Sequence, residues 1–222
     1  APFSTAHLLP GDDFDLSAVD LSAPAAQVAA LTFDDGPHAN DMQIMEVLRR
    51  HHAKATFFYI GRNVGREEAV ARAVAASENE VGNHTLTHPM MTELSPAEQN
   101  RNLAGANAKL AAVGVNATWF RPPYGDFDGA VTAEARKLGL KTVLWTVDSR
   151  DWKGGGATAI GRRVADRLEP GAVVLLHSTK AESVAALSEI LAEGERRGLR
   201  FVTLSEWRAA MAAAANSRRV GE

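Results

Sequence analysis

Two adjacent carboxylates, Asp34 and Asp35, leave the apolar run Val28-Ala29-Ala30-Leu31-Thr32-Phe33 and enter a turn made by Gly36 and Pro37. Neighbouring acids at a strand end repel each other and must be desolvated together, so they persist most readily where a cation or a positive side chain compensates them. Taken alone the pair also fits a solvated turn, since Asp, Gly and Pro all favour turns. His84 and His88 stand four apart in Asn83-His84-Thr85-Leu86-Thr87-His88-Pro89. On a helical turn ended by Pro89 that spacing puts both imidazoles on one face, close enough to share an ion. Without the acids they would read as exposed or capping histidines. Three further groups follow apolar segments. Arg121 precedes Pro122-Pro123-Tyr124-Gly125, a stiff mount for a guanidinium or simply a rigid surface loop. Asp148 and Asp151 come next, and His177 ends the run 171–176, where a lone His is ordinarily a hydrogen-bonded structural residue.

These residue types define a chemistry. A catalytic zinc takes three protein ligands from His and carboxylate and leaves a fourth position to water. One of the two aspartates with His84 and His88 supplies that set, and spacing does not say which. Such an ion lowers the pKa of its water to about 7 and polarises a carbonyl. The other aspartate is then free as general base, and His177 can serve as general acid. The set points to hydrolysis of an acyl bond.

The elements that must position these groups alternate. Hydrophobic runs predict strands over 28–33, 55–60, 79–82, 117–120, 141–147, 171–176 and 199–203. Between and after them, helices are expected over 41–53, 64–76, 95–113, 128–138, 157–168, 181–197 and 204–215. The third of these opens on Ser95-Pro96-Ala97-Glu98, an N-cap with proline first and Glu third. Alternation of this kind indicates parallel βα units, in a barrel or an open doubly wound sheet. The polar groups follow five different strands, and in a parallel barrel all those ends open onto one rim, whereas an open sheet gathers them at one crevice. A barrel is therefore expected. Trp145, inside its strand, reads as core, while Trp152, beyond the strand end, suits a pocket. Residues 1–26 read as an irregular, solvated lead-in, since Asp12, Asp13, Asp15 and Asp20 lack the glycine and terminal Glu of a calcium loop. A single catalytic domain over 27–215 and a frayed tail over 216–222 complete the expected organisation.

Composition excludes several classes. The 222 residues are 45% hydrophobic and 23% charged, which fits one large domain. A formal charge of −3 with dispersed Lys and Arg gives no basic stripe, so nucleic acid is not an expected partner. No apolar run approaches the ~18 residues of a membrane-spanning helix, and the chain opens Ala1-Pro2 without a Met or a hydrophobic signal peptide, as expected of a processed or trimmed form. With no Cys there are neither disulfides nor thiolate metal sites.

Taken together, Thr32-Phe33-Asp34-Asp35-Gly36-Pro37, His84-Thr85-x-x-His88, Arg121-Pro122-Pro123-Tyr124-Gly125, Asp148-x-x-Asp151-Trp152 and Leu175-x-His177-Ser178 resemble the five ordered motifs of the polysaccharide deacetylases, carbohydrate esterase family 4. The resemblance implies an α/β fold, a distorted (β/α) barrel of about seven parallel strands with the active site at its C-terminal rim. It implies Asp34 as base, Asp35, His84 and His88 on a divalent metal (zinc first, cobalt or nickel as alternatives), and His177 as acid. It also implies that Arg121 positions Asp34, that the Tyr124 amide helps stabilise the oxyanion and that Asp151 orients His177. Trp152 and Leu175 would form the pocket for the acetyl methyl. The implied substrate is an N-acetylated amino-sugar polymer such as chitin, its oligomers or peptidoglycan, or else O-acetylated xylan, acted on by a secreted or cell-surface monomer. Rival chemistries fit less well. An aspartyl phosphatase needs its acids one residue apart, and a non-catalytic sugar-binding domain could lose Asp34 or His177, which are both present. An iron oxygenase would share the two His and one carboxylate, and metal identity would separate it.

Overall fold

The computed structural model describes residues 7–220, with side chains as far as residue 215. In chain order the elements are β1 (Val28–Gly36), α1 (Asn40–Arg50), β2 (Ala55–Tyr59), α2 (Gly61–Val64), α3 (Glu68–Ala75), β3 (Glu80–Asn83), α4 (Pro96–Ala111), β4 (Trp119–Phe120), α5 (Gly129–Lys137), β5 (Lys141–Thr142), β6 (Val147–Asp148), α6 (Gly156–Ala165), β7 (Val173–His177), α7 (Ala181–Arg196), β8 (Arg200–Phe201) and α8 (Leu204–Val220). The Ser95 side chain and Glu98 form the expected reciprocal cap at the start of α4. The helix expected to stop at residue 215 runs to Val220, and residues 221–222 of the expected tail lie outside the described residues.

The strands form one curled parallel sheet in the order β5-β4-β3-β2-β1-β7-β6, a half-barrel wrapped by helices. β1 is its axis. Its first residues, Val28 and Ala29, pair with β8, and Leu31 onward pairs with β2 on one side and, from Ala30, with β7 on the other. A strand buried on both faces reads as an unbroken apolar run, which is what residues 28–33 are. Successive side chains point to opposite faces. Ala29, Leu31 and Phe33 therefore pack with Ile44, Leu48, Leu187 and Ile190 of the outer helices. Val28 and Ala30 pack inward with Phe58, Trp145 and Leu175.

Two expectations are corrected. The strand predicted over 141–147 is divided into β5 and β6, and no ladder joins these two among the described residues. In the interval the Val143 amide bonds to Phe120 O, the Leu144 amide to Leu8 O and the Thr146 amide to Val173 O. The chain thus crosses from the β4 edge to the β7 edge, and its apolar composition reflects burial along the crossing. Residues 1–6 lie outside the described residues; over 7–26 the lead-in is irregular, with short 3₁₀ turns at Leu16–Ala18 and Pro24–Ala26, and Asp13 and Asp15 are exposed as expected, but several of its apolar side chains are not solvated. Leu8 and Ala26 are fully buried and pack with Trp119, Trp207 and Val173 inside the curl. Its acids serve local turns instead: Asp15 accepts the Ser17 amide and Asp20 the Ser22 amide.

Candidate active site

Both acids of the pair reach the same cavity, and a regular strand could not achieve this. Thr32 and Asp34 share the inward face of β1, so alternation would send Asp35 outward. The pairing of β1 with β2 instead shifts register between Asp34 and Gly36, and Asp35 sits at φ 72°. The bulge re-aims its carboxylate into the site. Gly36 is required next, because a Cβ there would lie 2.6 Å from the Tyr59 ring.

Arg121, fully buried past the end of β4, lies across the interior. Its Nη1 donates to Asp34 Oδ1 at 2.9 Å and to Thr32 Oγ1 at 2.6 Å, and its Nη2 to Leu144 O at 2.7 Å. The guanidinium stacks 4.5 Å from the Phe58 ring centre. Part of what the missing β5–β6 ladder would have bonded is therefore bonded by this side chain. Burial lowers the Arg121 pKa and Asp34 opposes that. A buried guanidinium stays charged, and it leaves Asp34 Oδ2 facing the cavity 3.7 Å from His84 Nε2.

His84 and His88 converge as their spacing suggested, but not on a helical turn. Thr85 and His88 have φ of 67° and 63°, and the segment is a loop. Side chains satisfy its amides in place of a helical ladder: Asn83 Oδ1 accepts from Thr85, Thr85 Oγ1 from His88, and Asn102 Oδ1 from Leu86 and Thr87. His84 Nδ1 lies 2.8 Å from Arg121 O, so that nitrogen carries the proton and Nε2 faces inward. His84 Nε2 is 3.4 Å and His88 Nε2 3.2 Å from Asp35 Oδ1. His88 Nδ1 in turn meets the Tyr124 hydroxyl at 3.2 Å.

Asp35, His84 and His88 offer ligand atoms all within 4.8 Å of one another. Asp35 Oδ1 is buried and has no hydrogen-bond partner, and both imidazoles turn Nε2 toward it. Such a convergence of acceptors requires a cation or added protons between them. Electrostatics agree. Burial alone would raise the Asp35 carboxyl, yet His84 and His88 hold it well below the usual range. Burial alone would lower His84, yet Asp34 and Asp35 raise it. A donor set of two imidazoles and one carboxylate fits a divalent ion of the zinc type.

His177 ends β7 on the other side of the cavity. Its Nδ1 is 2.6 Å from Asp151 Oδ1, its amide donates to Asp151 Oδ2 at 2.8 Å, and Ser183 Oγ donates to the same oxygen at 2.6 Å. Burial works against the imidazolium, but the bond and charge of Asp151, with Asp34 and Asp35 behind, push His177 up to about 9. The cavity between these groups measures about 540 Å³. Leu175 is buried in its wall, while Trp152 is 52% and Tyr124 66% exposed at its mouth. Tyr124 holds φ 62° in a 3₁₀ turn over Pro123–Gly125.

Several groups here escaped the sequence reading. Trp145, expected as core, is buried but lines the cavity. Thr32 bonds Arg121 from the inward face of β1, and the period-two relation to Asp34 was the signal that could have found it. Thr179 and Lys180 also line the cavity, with no motif to mark them.

Comparison with known proteins places this geometry. The polysaccharide deacetylase family profile matches residues 22–143. A peptidoglycan-N-acetylglucosamine deacetylase of Bacillus cereus is 36% identical over 186 residues, covering 81% of this chain and 87% of that protein. A chitooligosaccharide deacetylase of Rhizobium leguminosarum bv. phaseoli is 35% identical over 192 residues, covering 78% and 84%. Among solved structures, the peptidoglycan deacetylase PdaC of Bacillus subtilis superposes with a TM-score of 0.81 at 31% identity, over 92% of this chain and all of that one. A family 4 carbohydrate esterase of Streptomyces lividans, in complex with acetate, gives 0.75 at 33% identity over 78% and 91%. With more than half its length matched by the family profile and these relatives covered almost end to end, the chain belongs to the polysaccharide deacetylase family, carbohydrate esterase family 4.

Proposed function

We propose that this chain is a metal-dependent deacetylase, secreted or at the cell surface, that hydrolyses the N-acetyl groups of amino-sugar polymers or oligomers such as peptidoglycan or chitooligosaccharide. The observation that carries the reading is the placement of two separately supported groups, Asp34 on Arg121 and His177 on Asp151, around the convergent Asp35, His84 and His88 in one cavity. The names of the relatives support the substrate class.

Asp35, His84 and His88 would hold the ion, with zinc the best fit to the donor set and cobalt or nickel as substitutes. When bound, a divalent ion polarises the acetamide carbonyl and makes an attacking water acidic. Asp34, with Oδ1 engaged by Arg121, accepts the proton of that water on Oδ2. The His177 imidazolium, held by Asp151 through Nδ1, gives its Nε2 proton to the amide nitrogen as the C–N bond breaks. Water and amide become acetate and a free amine. The Tyr124 N–H donates to the carbonyl oxygen as negative charge develops there. Leu175 and Trp152 enclose the acetyl methyl and exclude bulk water around it.

The test is release of acetate from chitin oligomers, peptidoglycan and acetylxylan, with chelator and after zinc is restored. Release from at least one amino-sugar substrate, abolished by chelation and recovered with zinc, is expected. Acetate from acetylxylan alone would refute the amino-sugar reading, and undiminished turnover in a verified metal-free sample would refute the metal.

A further inference from the structure

Beneath the turn that carries the two acids lies a carboxylate that neither the proton transfers nor the metal set uses. Asp41, in the first turn of α1, is fully buried. Its Oδ2 accepts the Tyr59 hydroxyl at 2.8 Å and the His38 amide at 3.1 Å. The Ser178 hydroxyl neighbours the same carboxyl, but Asp41 Oδ1 and Ser178 Oγ are both buried without a hydrogen bond of good geometry. The adjacent Asn40 donates Nδ2 to Ser178 O at 2.9 Å.

These contacts join three strand ends that carry the site: the exit of β1, Tyr59 at the end of β2, and Ser178 directly after His177 of β7. Backbone bonds tie the same points, from the Ser178 amide to Asp34 O and from the Ile60 amide to Gly36 O, each at 2.9 Å. Gly36 lies between them. A Cβ at Gly36 would stand 2.6 and 2.8 Å from Tyr59 ring atoms and 3.0 Å from Asp41 Oδ2. The Tyr59–Asp41 pair is thus packed directly against the backbone that follows Asp35. Displacing either partner frees that backbone to move, and Asp35 already occupies a left-handed conformation that only its surroundings hold in place.

We propose that Asp41 is a positioning residue, which through Tyr59 and Gly36 sets the depth at which Asp35 meets His84 and His88, and that it acts as a hydrogen-bonding group and not as a charge. The inference rests on the metal-site reading of those three residues. The contacts of Asp41 are a phenol, a backbone amide and a neutral hydroxyl; the nearby His38 ring acts on it through charge, more weakly than burial, and no ion pair to it is formed among the described residues. Burial, the largest influence on this carboxyl, pushes its pKa up and so favours the uncharged form. An asparagine in its place offers the same oxygen to Tyr59 and His38, and turns an N–H donor toward Ser178 Oγ.

The experiment compares Asp41→Asn, Asp41→Ala and Tyr59→Phe with the parent protein, measuring the zinc Kd by competition with a chromophoric chelator and the melting of the metal-free form by circular dichroism. The parent is expected to bind one zinc. At a temperature where each variant is folded, Asp41→Ala and Tyr59→Phe should raise the Kd roughly tenfold or more, at the lower end of the 10–100-fold typical of groups that orient metal ligands. Asp41→Asn should stay within about twofold of the parent, since it keeps the hydrogen bonds. A residue with a merely structural part would lower melting and leave the Kd of the folded protein unchanged, and that result overturns the inference. An Asn variant as weak as the Ala variant overturns the claim that charge is irrelevant. If Asp41→Ala does not fold, Tyr59→Phe, which removes a single hydroxyl, decides. Failure of the parent itself to bind zinc overturns the metal-site reading, and this inference with it.

Discussion

Replacing Asp151 with Asn tests the acid half of the site with little change of shape. In the parent the His177 imidazolium is favoured by a 2.6 Å bond to Asp151, and its pKa rises from 6.5 to about 9. A rise of that size corresponds to roughly 3 kcal/mol of preference for the charged ring, at about 1.36 kcal/mol per unit. Asp34 and Asp35 contribute the smaller share, so Asp151 dominates, and the proposed divalent ion would offset the two acids further. Asparagine brings no charge and offers one acceptor oxygen where Asp151 offers two to the His177 ring, the His177 amide and Ser183, so His177 should then titrate at least one to two units lower, on the order of pH 7–8 or below. In the proposed mechanism the protonated ring is the active form, so the alkaline limb of kcat should move down by the same amount. At pH 8 roughly half to nine-tenths of the ring is then deprotonated, a loss of about two- to tenfold, while near pH 5.5 the two proteins converge. The assay is acetate release from an N-acetylated oligomer at saturating zinc, from about pH 5.5 to pH 10. Stability follows the same sign. A folded pKa above the unfolded 6.5 contributes stability that is fully present below pH 6.5 and lost as pH rises toward 9. The melting difference between parent and Asp151→Asn should accordingly be larger at pH 6 than at pH 9.5. Coincident alkaline limbs in the two proteins would refute the assignment of that limb to His177.

Other perturbations separate the remaining roles. Asp34→Asn should bind zinc nearly as the parent does while kcat falls roughly 10²-fold or more, the usual contribution of a general base; Asp35→Asn should weaken zinc binding instead, and titrations giving the reverse would exchange the two roles. His177→Ala should lose far more turnover on an N-acetylated oligomer than on an activated acetate ester, whose leaving group needs no proton, and equal losses would show that His177 does not protonate the leaving group. Leu8→Ala, in the seam between β5 and β6, should cost about 2–5 kcal/mol as a cavity in a buried cluster, measured by urea unfolding, and a change below about 0.5 kcal/mol, the range of surface substitutions, would mean that the lead-in is not part of the core.

The alternation of apolar runs with amphipathic segments was enough to specify parallel βα units, because burial on both faces or on one leaves a direct record in composition. The same record placed Asp34, Arg121, Asp151 and His177 near strand ends, with Asp34 and His177 inside the last residues of β1 and β7, and the order of their motifs named the family. The aim of Asp35 was not legible. Its side chain points into the site only because β1 slips register against β2 between Asp34 and Gly36, and a register exists only between two strands already paired. The segment holding His84 and His88 has the spacing of a helical turn but is a loop, because its amides are satisfied by Asn102, distant in sequence, as well as by Asn83 and Thr85. The apolar stretch 141–147 concealed a break for a related reason: Arg121 and the lead-in residue Leu8 take its hydrogen bonds, so its burial does not depend on a continuous ladder. Sequence by itself singled out the candidate residues and the alternating elements around them, since both are written in local residue types and periods. Only the tertiary structure decided where the acceptors converge and what supports them, because those partners, Asp41 beneath Gly36 among them, become neighbours only when the sheet curls.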